Sequence, residues 1–272
     1  MDVKFSVCNE MFENWKLSDV MRYASSIGYD GVEIAPFTIC EDVTEVSRQE
    51  RKAISEEAQS MGLEIVGLHW LLVKPEGLYI NHPDDAIRTK TQRYMQELIR
   101  FCSDIGGSIM VIGSPKQRNV VEGITYQQAW ELARSVFEEC AKTAEEVGVT
   151  LCMEPLSPQE TNFITTAQEA MRMIEEVGSP NFKLILDVKA MSSEDRDIPS
   201  IIRSARDVLA HFHANDANRR GPGFGDTDFV PIAGALDEIG YRGFVSVEVF
   251  DFSPDPRTIA SRSLEYLRRV FR

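Results

Sequence analysis

The sequence predicts an α/β fold closed into a single (β/α)8 barrel, the TIM-barrel architecture, spanning residues 1–272. Three observations predict it. Short apolar runs alternate with amphipathic helical patterns eight times, and strict alternation implies a parallel sheet. The joint from helix back to strand repeats: Ile27-Gly28, Met61-Gly62, Val147-Gly148 and Ile239-Gly240 each precede an apolar run. A glycine just past a helix supplies the left-handed turn that returns the chain to a parallel strand. No glycine-rich dinucleotide fingerprint follows the first strand, which removes the main reason to prefer an open doubly wound sheet.

Each element follows from local pattern. Residues 4–8 alternate as a strand, and an apolar stripe through Leu17, Val20, Met21, Tyr23, Ala24 and Ile27 marks the first helix, with Ser18 as N-cap and Gly28 beyond its end. Strands are expected at 32–35, 64–70 and 108–112, with helices at 47–61, 84–105 and 125–147. The second half repeats the rhythm: strands at 149–154, 183–188, 208–214 and 244–250, and helices at 166–177, 198–207, 229–239 and 256–271. No linker or compositional break divides the chain.

The bulk properties narrow the function. A net charge of −14 argues against a nucleic-acid or membrane-surface role, because phosphate binding needs basic surface. A small anionic substrate held by a few local cations stays compatible with it. Five scattered cysteines without CxxC spacing fit free thiols in a reducing cytosol. No apolar leader and no membrane-length segment is seen, so a cytoplasmic protein is expected.

Four of the strands end on a metal-binding side chain: Glu154, Asp187, His213 and Glu248. An ionised carboxylate at the tip of a buried strand is costly unless paired or bound to a cation. In a barrel these residues fall at the ends of strands five to eight, on the face where such enzymes work. Three carboxylates and one imidazole suit Mn2+, Mg2+ or Co2+ better than structural zinc. The plainer alternative is that each one bonds to loop backbone.

Around this set stand further candidates. His69 ends strand three and could face a substrate or be a satisfied core histidine. His211 points to the same side as His213, lower in the barrel, which suits a structural role. Glu160 and Arg219 lie in loops above strands five and seven and could reach substrate. Asn215 and Asp216 could orient His213. The loop 113–118 carries Lys116 and Arg118, which could hold an anionic group or be solvated. Trp15 and Trp70, near the ends of strands one and three, could wall a sugar pocket or pack in the core. The glycine-rich stretch 221–226 matches neither a P-loop nor a Rossmann turn.

Met153-Glu154-Pro155-Leu156, Leu186-Asp187-Val188, His211-Phe212-His213-Ala214-Asn215-Asp216 and Val247-Glu248-Val249 together resemble the xylose isomerase-like sugar isomerase and epimerase superfamily, over nearly the whole chain. In the ketose 3-epimerases of that group, which the four strand ends resemble position by position, the resemblance implies a divalent metal, usually manganese, held by all four. It also implies that the two glutamates move the proton, and it places Glu160 and Arg219 on substrate hydroxyls. Related barrels are often dimers or tetramers, so a homo-oligomer is implied. One departure is plain: those epimerases carry a histidine three residues after the strand-six aspartate, and this chain has Ala190, so that a substrate contact is either missing or replaced by Lys189. An endonuclease branch of the superfamily needs additional histidines, and Ala190 and the acidic charge both speak against it.

The chemistry expected is proton transfer. A cation held there would polarise a ketose carbonyl and acidify the adjacent C–H. Glu154 and Glu248, one on each side, could remove and return a proton through a cis-enediolate. Two bases give epimerisation; one base serving neighbouring carbons gives aldose–ketose isomerisation. The alternatives are a metal-dependent lyase or dehydratase on a keto-sugar, keto-inositol or keto-glycoside, and a non-catalytic sugar-binding barrel.

Overall fold

The computed structural model describes residues 2–272. Its strands are β1 (Lys4–Cys8), β2 (Gly31–Ile34), β3 (Glu64–Leu68), β4 (Ile109–Ile112), β5 (Thr150–Met153), β6 (Phe182–Asp187), β7 (Leu209–Ala214) and β8 (Phe244–Val247). They hydrogen-bond in chain order as one closed parallel barrel. Closure is made by β1 against β8, in a register that runs from Lys4 opposite Phe244 to Val7 opposite Val247. The helices are α1 (Leu17–Ile27), α2 (Arg48–Ser60), α3 (Asp85–Asp104), α4 (Tyr126–Val147), α5 (Ala167–Val177), α6 (Val188–Met191), α7 (Ile198–Ser204), α8 (Phe229–Glu238) and α9 (Pro256–Val270).

Local chemistry explains most boundaries. Ser47 and Thr125 each close a capping box, with Glu50 and Gln128 reaching back to the cap. Gly28 ends α1 at φ 98°, a conformation that costs a residue with a Cβ. Three expectations need correction. Ser18 is not the cap of α1; Lys16 holds that position with no side-chain bond. Helix α7 stops at Ser204 rather than at residue 207. The turn α6 was not expected, and Asp187 builds it by accepting from the Ala190 N–H at 2.7 Å. Strands β3 and β8 are shorter than their apolar runs, so His69 and Glu248 sit just past the last paired residue.

The alternation of strand residues sorts the two faces of the barrel wall. Leu151, Met153, Leu184, Leu186, Phe212, Ala214, Val245 and Val247 join the large core shared with helix residues such as Trp130 and Phe137. Cys152 and Ile185 instead meet Val111 in a small separate cluster, on the opposite, interior face. Glu154 follows Cys152 by two and Asp187 follows Ile185 by two, so both carboxylates continue the interior face. His213 and Glu248 follow His211 and Ser246 in the same way. Among the described residues no helix is long and apolar enough to cross a membrane.

Candidate active site

The four strand-end residues meet. Glu154, Asp187, His213 and Glu248 are all buried, and each offers one ligand atom within 4.8 Å of the others. His213 Nδ1 lies 3.1 Å from Glu248 Oε2 and 3.8 Å from Glu154 Oε1. Asp187 accepts a short hydrogen bond from Asn215 Nδ2, and its other oxygen is taken by the Ala190 N–H. Trp70 Nε1 donates to Glu248 Oε1 at 3.1 Å.

Three carboxylates this close repel one another and have lost water. Burial, with the nearby charge of Glu248, pushes the Glu154 carboxyl up to about 8. Burial likewise raises Asp187. Burial also works against ionised Glu248, but His213 beside it outweighs that and holds it below the usual range. Buried carboxylates crowded around one imidazole form a hard, anionic donor set, which fits a divalent cation and not an apolar ligand. Gly113 leaves the room required: a Cβ there would stand 1.9 Å from Glu154 Oε2.

A cleft open to solvent reaches Glu154 and Glu248 and is lined as well by His69, Trp70, Gly113, Glu160 and Phe250. His69 is at its floor and fully buried, with Nε2 2.6 Å from Glu10 Oε2. Trp70 stands at the wall with φ 52°, a left-handed backbone unusual for a bulky residue. Glu160 reaches the cleft with its carboxylate paired to Lys189 Nζ at 2.6 Å and Ser157 Oγ at 2.7 Å. Lys189 in turn lies 3.8 Å from the centroid of the Phe250 ring. Burial resists a charge on Lys189, but Asp187 and Glu160 overcome it and raise its pKa.

Other predicted residues lie elsewhere. Arg219 is exposed and lines a neighbouring hollow with Ser157, Glu160 and Lys189. Lys116 is exposed and does not line the cleft, although its neighbour Pro115 does. Trp15 packs on Phe12 and Tyr23 under Arg257, in a separate surface groove. Asp216 bonds Thr227 and does not contact His213; it is Asn215 that supports the site, through Asp187. His211 has the structural place expected of it, bonded to Glu33 at 2.8 Å.

The sequence reasoning missed Glu10 and Glu33, and it placed Arg118 in a loop that would hold an anionic group or be solvated. Arg118 is 1% exposed and donates to the carbonyls of Ile112, Glu154 and Ile164, so the solvated-loop reading fails for it. It pins the backbone of Glu154 from behind. The signal for Glu33 was available: a carboxylate between Val32 and Ile34 on an apolar strand obeys the same rule that singled out the other four.

A family profile described as xylose isomerase-like TIM barrel matches residues 21–270. The D-psicose 3-epimerase of Ruminiclostridium cellulolyticum is 34% identical over 176 residues, which are 63% of this chain and 59% of that protein. The chain therefore aligns with less than two thirds of that relative's length. The D-psicose 3-epimerase of Enterocloster bolteae is 29% identical over 243 residues, 89% of this chain and 78% of that protein. A solved D-psicose 3-epimerase, crystallised in the presence of D-fructose, superposes with a TM-score of 0.88 at 21% identity over 99% of both chains, a likeness of fold.

Proposed function

This chain belongs to the xylose isomerase-like TIM barrel family, and from that premise we propose that it is a divalent-metal-dependent epimerase of ketoses or closely related keto-sugars. The observation that carries the reading is the meeting of Glu154, Asp187, His213 and Glu248, one ligand atom from each within 4.8 Å. Those four would hold the ion, with Mn2+ as the proposed metal and Mg2+ or Co2+ as alternates. When bound, the cation supplies Lewis-acid polarisation of the substrate carbonyl.

The chain's own residues do the rest. Glu154 and Glu248 reach the cleft from strands β5 and β8, and each has a carboxylate oxygen to take or return a proton on the carbon next to the carbonyl. Two bases on two sides invert a stereocentre through a cis-enediolate. The Trp70 indole holds Glu248 in place, and Arg118 holds the Glu154 backbone. His69, Trp70 and Phe250 exclude water over the reacting carbons. Glu160 and Lys189 offer charged polar contacts to sugar hydroxyls, with Lys189 in the region where Ala190 gives none. Arg219 would meet only the far end of a substrate that extends into the second hollow.

The epimerase names of the relatives favour this reading over a lyase. The free cysteines, four of the five buried, support a reducing cytoplasmic setting. The test is a panel of ketoses, ketose phosphates and keto-glycosides with Mn2+ in D2O, read by NMR. Deuterium should enter the carbon next to the carbonyl and product mass should otherwise be conserved. Glu154→Gln and Glu248→Gln should each abolish the exchange, a loss of at least about a hundredfold. Normal exchange in either variant would remove that residue from its role, and loss of water from the substrate would make the enzyme a lyase.

A further inference from the structure

Glu33 is a buried ionisable group that the proposed chemistry leaves unused. It comes from β2, across the barrel from the strands that supply the four ligands, and it is 0% exposed. A lone carboxylate there would be costly, yet three donors converge on it. Its Oε2 accepts from Ser246 Oγ at 2.7 Å and lies 2.8 Å from His211 Nε2. Its Oε1 lies 3.0 Å from His213 Nε2.

We infer that Glu33 is a positioning residue for the metal set: it accepts the Nε2 proton of His213 and so turns the Nδ1 lone pair toward Glu154, Asp187 and Glu248. An ionised carboxylate has no proton to give, so the ring nitrogen facing it must carry one. In the neutral imidazole left when a cation displaces the ring's second proton, the other nitrogen is the free lone pair. That nitrogen is Nδ1, the atom 3.1 Å from Glu248 Oε2. The opposite tautomer would push an N–H into the ligand set and spend it on a carboxylate. His211 and Ser246 hold the far oxygen of Glu33, which keeps Oε1 aimed at His213. An amide at this position breaks the arrangement, because one of its two ends donates where both oxygens now accept.

The inference rests on the metal reading above, and the two can fail separately. Mn2+ titration followed by the EPR signal of the free ion tests both. Glu33→Gln should weaken Mn2+ binding roughly 10- to 100-fold. Glu64→Gln, at the exposed start of β3 and outside the site, should keep the wild-type affinity within about twofold. Wild-type affinity in Glu33→Gln would overturn the role of Glu33, while a wild-type protein that binds no Mn2+ would sink the metal reading itself. Should Glu33→Gln fail to fold, the imidazole ¹⁵N spectrum of the Mg2+-saturated wild type decides. A proton on Nε2 of His213 supports the role, and a proton on Nδ1 overturns it.

Discussion

Glu154 carries the sharpest consequence at the scale of one residue. Burial and the charge of Glu248 push its carboxyl up to about 8 in the metal-free protein. A cation binds the ionised form, so below about pH 8 its uptake must displace a proton. The sign follows: Mn2+ affinity should rise as the pH climbs from about 6 to about 8 and flatten above that. Calorimetry at about pH 6.5 in buffers of different ionisation enthalpy should count at least about one proton released per ion, since burial raises Asp187 and, against burial, neighbouring carboxylates raise His213 as well. An affinity that stays flat across this range would mean that Glu154 is already ionised. Acid should therefore weaken the site well before it threatens the fold.

At the scale of elements, what decides the site is how strands stop and how closely they approach. Asp187 ends β6 and also caps α6, so one carboxylate terminates a strand, starts a turn and faces the other proposed ligands. Close approach is most demanding between β3 and β4. Gly67 pairs with Ile109 there, and a Cβ on it would fall 1.7 Å from the Ile109 carbonyl oxygen. That oxygen belongs to backbone and cannot swing aside. Gly67→Ala should cost more than about 4 kcal/mol or prevent folding. Gly148→Ala is the contrast: its Cβ would meet nothing within 4 Å, and only the φ of 74° resists it, so about 1 kcal/mol is expected. Urea midpoints measure both, and equal midpoints would show that the β3–β4 seam yields.

For the whole molecule, the four proposed ligands are the ends of β5 to β8, so an ion held there would tie half of the barrel together. Binding that requires the folded barrel must stabilise it. At a free Mn2+ concentration about 100 times its Kd, unfolding should become about 2.7 kcal/mol harder, with a matching rise in Tm. A chelator should reverse the rise, and Asp187→Ala should lack it. The same Tm with and without Mn2+ in the wild type would contradict a site built from four strands.

The amino-acid sequence by itself determined the architecture, because a barrel of alternating elements is written in local terms. The apolar runs, the capping residues Ser47 and Thr125 and the glycines after helices act over a few residues, and eight units in order leave little choice of topology. It also singled out Glu154, Asp187, His213 and Glu248, since each breaks an apolar strand at its end. Tertiary structure decided everything that depends on which loops fold inward. Lys116 and Arg118 share one short loop, yet one is exposed and the other buried against three carbonyls. Trp15 and Trp70 looked alike as strand-end aromatics, and of the two Trp70 is the one that turns onto Glu248. Glu33 meets His211 and His213 across nearly 180 positions of chain. No local pattern encodes that contact; closing the barrel makes it.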